Sequence, residues 1–107
     1  MPNKDALMVR TVFALARGCG AAQLSDEASS WFHATYYPWI DAPSPRAGGR
    51  TPQEVWDTEG VHFLRHFEDI GRRAAATSGG EVIDQTSLES GALAVQKELE
   101  CPWCPDI

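Results

Sequence analysis

Residues 51–80 read TPQEVWDTEGVHFLRHFEDIGRRAAATSGG, and the reading of this stretch decides the fold. At 100° per residue, Trp56, Phe63, Phe67, Ile70 and Ala74 fall within one narrow arc, the stripe of an amphipathic helix that faces a core. The start is marked twice. The Thr51 hydroxyl and the Glu54 carboxylate are spaced to accept from each other's backbone N–H, a capping box. Pro52 takes the first helical position, where its missing N–H leaves no bond unmade. Glu54, Asp57 and Glu59 lie early and Arg72 and Arg73 lie late, which complements the helix dipole. Glu68–Arg72 and Asp69–Arg73 have i,i+4 spacing for ion pairs. Gly79-Gly80 ends the helix, and Gly60 is a point at which it can bend.

On the N-terminal side, residues 3–17 read as a first helix capped by Asn3. Leu7, Met8, Val12, Phe13, Leu15 and Ala16 cover more than half of its circumference, the pattern of a central helix. Gly18-Cys19-Gly20 stops it, with Gly18 as the left-handed residue. Ser25 caps a second helix, with Leu24 placed for a hydrophobic staple and Asp26 and Glu27 in the first turn. That helix runs to Tyr37, before Pro38. Residues 38–50, PWIDAPSPRAGGR, form an irregular Pro/Gly-rich loop. Beyond Gly80, Glu81-Val82-Ile83 is too short to read as a strand. Thr86 and Glu89 form a second capping box and open a fourth helix, with Leu88, Ala92, Val95 and Leu99 as its apolar stripe. Pro102 stops this helix by Cys101, and CPWCPDI is a short C-terminal tail. No internal repeat and no low-complexity segment stand out. The expected fold is all-α: one domain over residues 1–107, an irregular four-helix bundle with the 38–50 loop between helices 2 and 3.

The chain has 107 residues, 43% of them hydrophobic, enough for an ordinary core. Its net charge of −6 argues against direct binding to nucleic acid or to an anionic membrane. The charge is unevenly placed: five bases and four acids in residues 1–50, net +1, against four bases and eleven acids in residues 51–107, net −7. That asymmetry points to one acidic side and a basic partner. Three cysteines, an odd number without scaffold spacing, point to a reducing, cytoplasmic setting. No stretch reaches the roughly 18 apolar residues of a membrane span. The run from Leu7 to Ala16 follows Asp5 and is interrupted by Arg10, so it reads as a buried helix rather than a leader.

Two constellations carry candidate chemistry. Cys101-Pro102-Trp103-Cys104 is half of a zinc site, and His62 and His66, one helical turn apart, could supply the other half. Such a Cys₂His₂ site would be structural; against it stands the ordinary alternative of two boundary histidines and free thiols. The Pro-aromatic pair inside CPWC also resembles dithiol oxidoreductases, but those place the motif at a helix start after a strand, and here it follows a helix. Enzyme motifs are otherwise missing. HFLRH has Phe63 where a zinc protease has its Glu, and there is no phosphate loop, GxGxxG or GxSxG. His33 near Ser29 and Ser30 has nothing to orient it, and Cys19 reads equally as an exposed thiol or one buried at a turn.

The function expected from this is therefore non-enzymatic: a small acidic protein that binds another protein. In its concrete form, the acidic half docks on a basic, nucleic-acid-handling surface and blocks it, in the manner of phage-encoded anti-defence (anti-CRISPR-like) inhibitors. Glu81, Asp84, Glu98 and Glu100 are the expected contact acids. Tyr37 and Trp39, flanking Pro38, are the expected aromatic anchors, whereas Trp31 and Phe32, at helical spacing with Tyr36, read as core. The alternative is a zinc-stabilised module using His62, His66, Cys101 and Cys104. A first helix apolar on so many sides also leans toward a homodimer.

Overall fold

The computed structural model describes residues 4–43 and 48–98, without the side chains of residues 53, 58 and 59. The described chain is mostly helical, with four helices of seven or more residues: α1, Lys4–Cys19; α2, Asp26–Trp39; α3, Pro52–Ser78; and α4, Gln85–Glu98. Two two-residue strands, β1 (Gln23–Leu24) and β2 (Val82–Ile83), pair in parallel.

The long helix starts where its caps place it. The Glu54 N–H donates to the Thr51 hydroxyl at 3.2 Å, with Pro52 in the first turn. It runs unbroken through Gly60 to Ser78. Gly79 then turns it off at φ +64°, its N–H bonding the Ala75 carbonyl, a conformation that costs a Cβ-bearing residue about 1–2 kcal/mol.

α3 is the hub. Phe63, Phe67, Ile70 and Ala74 are all fully buried on it, and it packs against α1 and α4. Both crossings are made close by glycine. A Cβ on Gly18 would stand 1.9 Å from the Glu68 carbonyl oxygen, and one on Gly71 would stand 2.2 Å from that of Leu15. A Cβ on Gly91 of α4 would likewise stand 3.0 Å from the Ala74 nitrogen and the Ile70 carbonyl oxygen, a tight contact. α2 is held differently. Its backbone stays away from α3, and aromatic rings fill the gap. Phe67 is the centre, with ring centroids 5.9 Å from Phe32, 5.4 Å from Tyr36, 6.0 Å from Trp39 and 5.2 Å from Phe63. Leu7, Leu15, Ile83, Leu88 and Val95 complete the core.

The chain repeats itself in conformation, though not in sequence. Gly20 and Gly79 are left-handed, at φ +67° and +64°. Gln23 and Leu24 pair with Val82 and Ile83. Ser25 accepts from the Ala28 N–H at 3.1 Å, and Asp84 accepts from the Ser87 N–H at 2.8 Å. Each of these members follows its counterpart by the same 59 residues, as Val82 follows Gln23. Burial agrees: Leu7, Met8, Thr11 and Leu15 of α1 correspond to the buried His66, Phe67, Ile70 and Ala74 of α3. The molecule is thus built from two helix–strand–helix halves, joined edge to edge by the ladder.

Several local expectations are corrected. α2 continues through Pro38 to Trp39, and the Ile40 N–H still reaches the Tyr36 carbonyl. The one bond lost at Pro38 is the one the Ala34 carbonyl would have accepted, and Ala34 is an exposed residue. The irregular connection therefore starts at Asp41. Gly18 is helical and serves the α1–α3 crossing; Gly20 is the left-handed residue. α1 is not central, since Val9, Val12 and Phe13 remain exposed. α4 is capped by Asp84, one position before its first helical residue, rather than by Thr86. Arg72 pairs with Asp69 rather than Glu68, while Glu68 reaches Arg17 of α1 at 2.8 Å and Arg73 reaches Glu98 of α4. Neighbouring helices lie within reach of Glu68 and Arg73, so these two pairs tie elements together, while Arg72–Asp69 stays within α3. Asn3, Leu99 and the tail lie outside the described residues.

Candidate functional site

The parallel ladder sets two helix starts side by side. β1 leads into α2 and β2 into α4, so the first turns of both helices emerge at the same end. The Gln23 N–H donates to the Glu81 carbonyl at 2.8 Å, and the Ser25 N–H donates to that of Ile83 at 2.9 Å. Residues 20–30 and 79–90, which form this end, contain five acids (Asp26, Glu27, Glu81, Asp84 and Glu89) and no lysine or arginine. Asp26, Glu27, Glu81 and Asp84 are exposed. Hydrogen bonds from Ser87 hold the Asp84 carboxyl below its ordinary range, so it is charged at neutral pH. Two helix N-termini offset part of the repulsion among these carboxylates. Between the strands' approaches, Ala22, Gln23, Gly80, Glu81 and Val82 line an open hollow of about 470 Å³.

A second feature lies between α1 and α2. Val9, Val12 and Phe13 are exposed to 52%, 41% and 67%, and they border a groove of about 430 Å³ that also touches Asp5, Met8, His33 and Tyr37. It adjoins a second groove of about 510 Å³, lined by Val12, Leu24, Phe32, His33 and both Ser29 and Ser30. The His33 ring stacks on Tyr37, 4.9 Å between centroids. Among the described residues neither serine hydroxyl bonds His33, so no nucleophile–base pair forms there.

The residues expected to bind a partner do not form one patch. Glu81 and Asp84 meet at the ladder end. Glu98 closes α4 at the far end, about 20 Å along the helix from Asp84, and is already paired with Arg73. Tyr37 is half-buried; its hydroxyl donates to Asp5 at 2.6 Å, which raises its pKa, and the Lys4 ammonium sits 4.3 Å over its ring. Trp39 is 8% exposed and stacks on Phe63, a core residue rather than a surface anchor. Glu100 lies outside the described residues.

The zinc ligands divide as well. His62 is exposed, whereas His66 is buried with its ring edge-on to Phe67. Burial lowers the His66 pKa to about 4, against a smaller opposing pull from Asp69, so its imidazole is neutral. Cys101 and Cys104 lie outside the described residues. Among the described residues, no three His, Cys, Asp or Glu side chains gather in a way that could hold a metal ion. Cys19 is buried at the α1 terminus, and burial raises its thiol pKa, so it is protonated. No helix among the described residues is long and apolar enough to cross a membrane.

Sequence reasoning did not pair Asp26 and Glu27 with Glu81 and Asp84. The signal was present as base-free acidic runs after each left-handed glycine, but only the ladder makes them neighbours. No family model matches this sequence, and neither a curated protein nor a solved structure matches it.

Proposed function

We propose that the protein is a non-enzymatic binding protein whose acidic ladder end docks on a basic surface of a protein partner, one that handles nucleic acid. The observation that carries this reading is the meeting of Asp26, Glu27, Glu81 and Asp84 around β1 and β2 with no base among the residues of that end. Two caps and a ladder fix the backbone that carries these residues, and the Ser87 N–H holds the Asp84 carboxylate, which lowers the ordering cost of binding. Complementary charge of this kind acts mainly on association rate and choice of partner. Occupying a basic surface excludes nucleic acid from it, the mode of action of small phage-encoded anti-defence inhibitors.

The test uses the whole chain as bait in a cell lysate, beside a Glu27→Lys/Glu81→Lys variant, at about 0.05 and 0.5 M salt. The captured protein should be basic, be released by added nucleic acid, and be lost with the variant and at high salt. Capture indifferent to charge reversal, salt and nucleic acid would rule the reading out. Elemental analysis of the same preparation separates it from the zinc module: stoichiometric zinc lost on Cys104→Ser would favour the latter.

A further inference from the structure

We propose that the partner enters as an added strand: an extended, lysine- or arginine-rich segment of it pairs with the open edge of β2. This rests on the reading that the acidic ladder end meets a basic protein, and it names the part of that protein which makes the contact. The register leaves the edge open. The Gln23 N–H donates to the Glu81 carbonyl and the Ser25 N–H to that of Ile83, so Gln23 and Ile83 turn their main-chain groups into the ladder. Val82, next to Ile83, therefore turns its N–H and C=O away from β1. Among the described residues neither group has a hydrogen-bond partner, and Val82 is 60% exposed. The other edge differs, because Leu24 of β1 packs against the core. A bare strand edge is a template for a further strand, and in antiparallel pairing one residue opposite Val82 exchanges both bonds with it.

Charge selects the occupant. Glu81 and Asp84 stand on either side of Val82, both exposed, and residues 20–30 and 79–90 hold no lysine or arginine. A second copy pairing antiparallel about Val82 would set Glu81 of each beside Asp84 of the other, like charges with no base between them. The chain's own residues 99–107 contain Glu100 and Asp106, no base, and Pro102 and Pro105, which have no N–H to give a ladder. A segment with bases on both sides of an apolar residue fits where these do not. Its apolar side chain lies beside Val82, at the hollow of about 470 Å³ that Val82 shares with Ala22, Gln23 and Gly80, and its bases reach Glu81 and Asp84. The main-chain bonds supply affinity and the acids supply the choice of sequence. β2 is only two residues long, so the added strand is short and the affinity modest.

The probe is the capped peptide acetyl-Lys-Lys-Val-Lys-Lys-amide, titrated into the isotope-labelled full chain and followed by nuclear magnetic resonance. The Val82 amide proton should shift downfield, and its exchange with solvent should slow as the peptide saturates. The same peptide with every amide N-methylated keeps its charges but has no N–H to donate, and should bind at least ~10-fold more weakly. Val82→Pro removes the outward donor and no ladder bond, so it should weaken the unmodified peptide to a similar degree while the melting temperature stays near that of the wild-type chain. The N-methylated peptide makes the same test on the unaltered chain, should Val82→Pro fail to fold. Equal affinity for the two peptides overturns the added strand and leaves the acidic docking surface standing. A Val82 amide that exchanges as fast with the peptide bound as without it does the same. Equal binding of acetyl-Glu-Glu-Val-Glu-Glu-amide overturns both.

Discussion

His66 sits 3% exposed beside Phe67, and that position sets a pH dependence. In the unfolded chain an imidazole titrates near its ordinary value of about 6.5. In the folded chain it titrates at about 4, because burial disfavours the cation. Above about pH 6.5 the residue is neutral in both states and has no effect. Between there and about pH 4 the unfolded state takes up a proton that the folded state refuses, so stability falls as pH falls. The full loss is on the order of 3 kcal/mol. Urea midpoints measured from pH 7.5 to 4.5 should decline in the wild-type chain and stay flatter in His66→Gln. Equal slopes in the two proteins would mean that His66 is solvated. By periodicity His62 and His66 are a pair at the edge of one stripe; a small rotation about the helix axis separates them into an exposed and a buried residue, a difference too fine for periodicity alone to resolve.

At the scale of elements, local chemistry was legible wherever a single residue decides the outcome. Thr51, Pro52, Ser25 and Gly79 mark ends through their own hydroxyl, ring or missing Cβ, and they do so in the structure. Pro38 does not end α2, because losing one hydrogen bond in a last turn is smaller than what burying Trp39 and Ile40 contributes, about 1.5–3 kcal/mol per large side chain. Glycine separates local from tertiary effects in the same helix. Gly60→Ala adds a methyl 3.4 Å from the Trp56 ring, an ordinary contact, and should stabilise α3 by about 0.5–1 kcal/mol. Gly71→Ala gains the same propensity but drives its Cβ to 2.2 Å from the Leu15 carbonyl, forcing α1 away. Overpacking of that kind costs about 1–3 kcal/mol, so the net sign reverses. Thermal melts of the two variants should shift in opposite directions; a stabilised Gly71→Ala protein would mean that the α1–α3 crossing is loose.

At the scale of the molecule, the all-helical character could be read from the chain, while the doubled helix–strand–helix plan could not. Its members match in conformation, cap and burial, whereas the side chains differ: Ser25 against Asp84, Leu24 against Ile83, Phe32 against Gly91. That last difference explains the asymmetry of the core. Gly91 lets α4 settle directly on α3, while the bulk at Phe32 and Tyr36 holds α2 off, and Phe67 has to bridge the gap. Attachment of α2 to the hub therefore depends on few, large contacts. Phe67→Ala should cost about 3–5 kcal/mol, a large share of the roughly 5–15 kcal/mol that holds a domain of this size. The urea midpoint should fall sharply with an unchanged slope, while Val61→Ala, 67% exposed on the same helix, should stay within about 0.5 kcal/mol of wild type. A reduced slope for Phe67→Ala would mean that α2 detaches before the rest unfolds, and a cost below about 1 kcal/mol would mean that this ring is not what joins the second helix to the third.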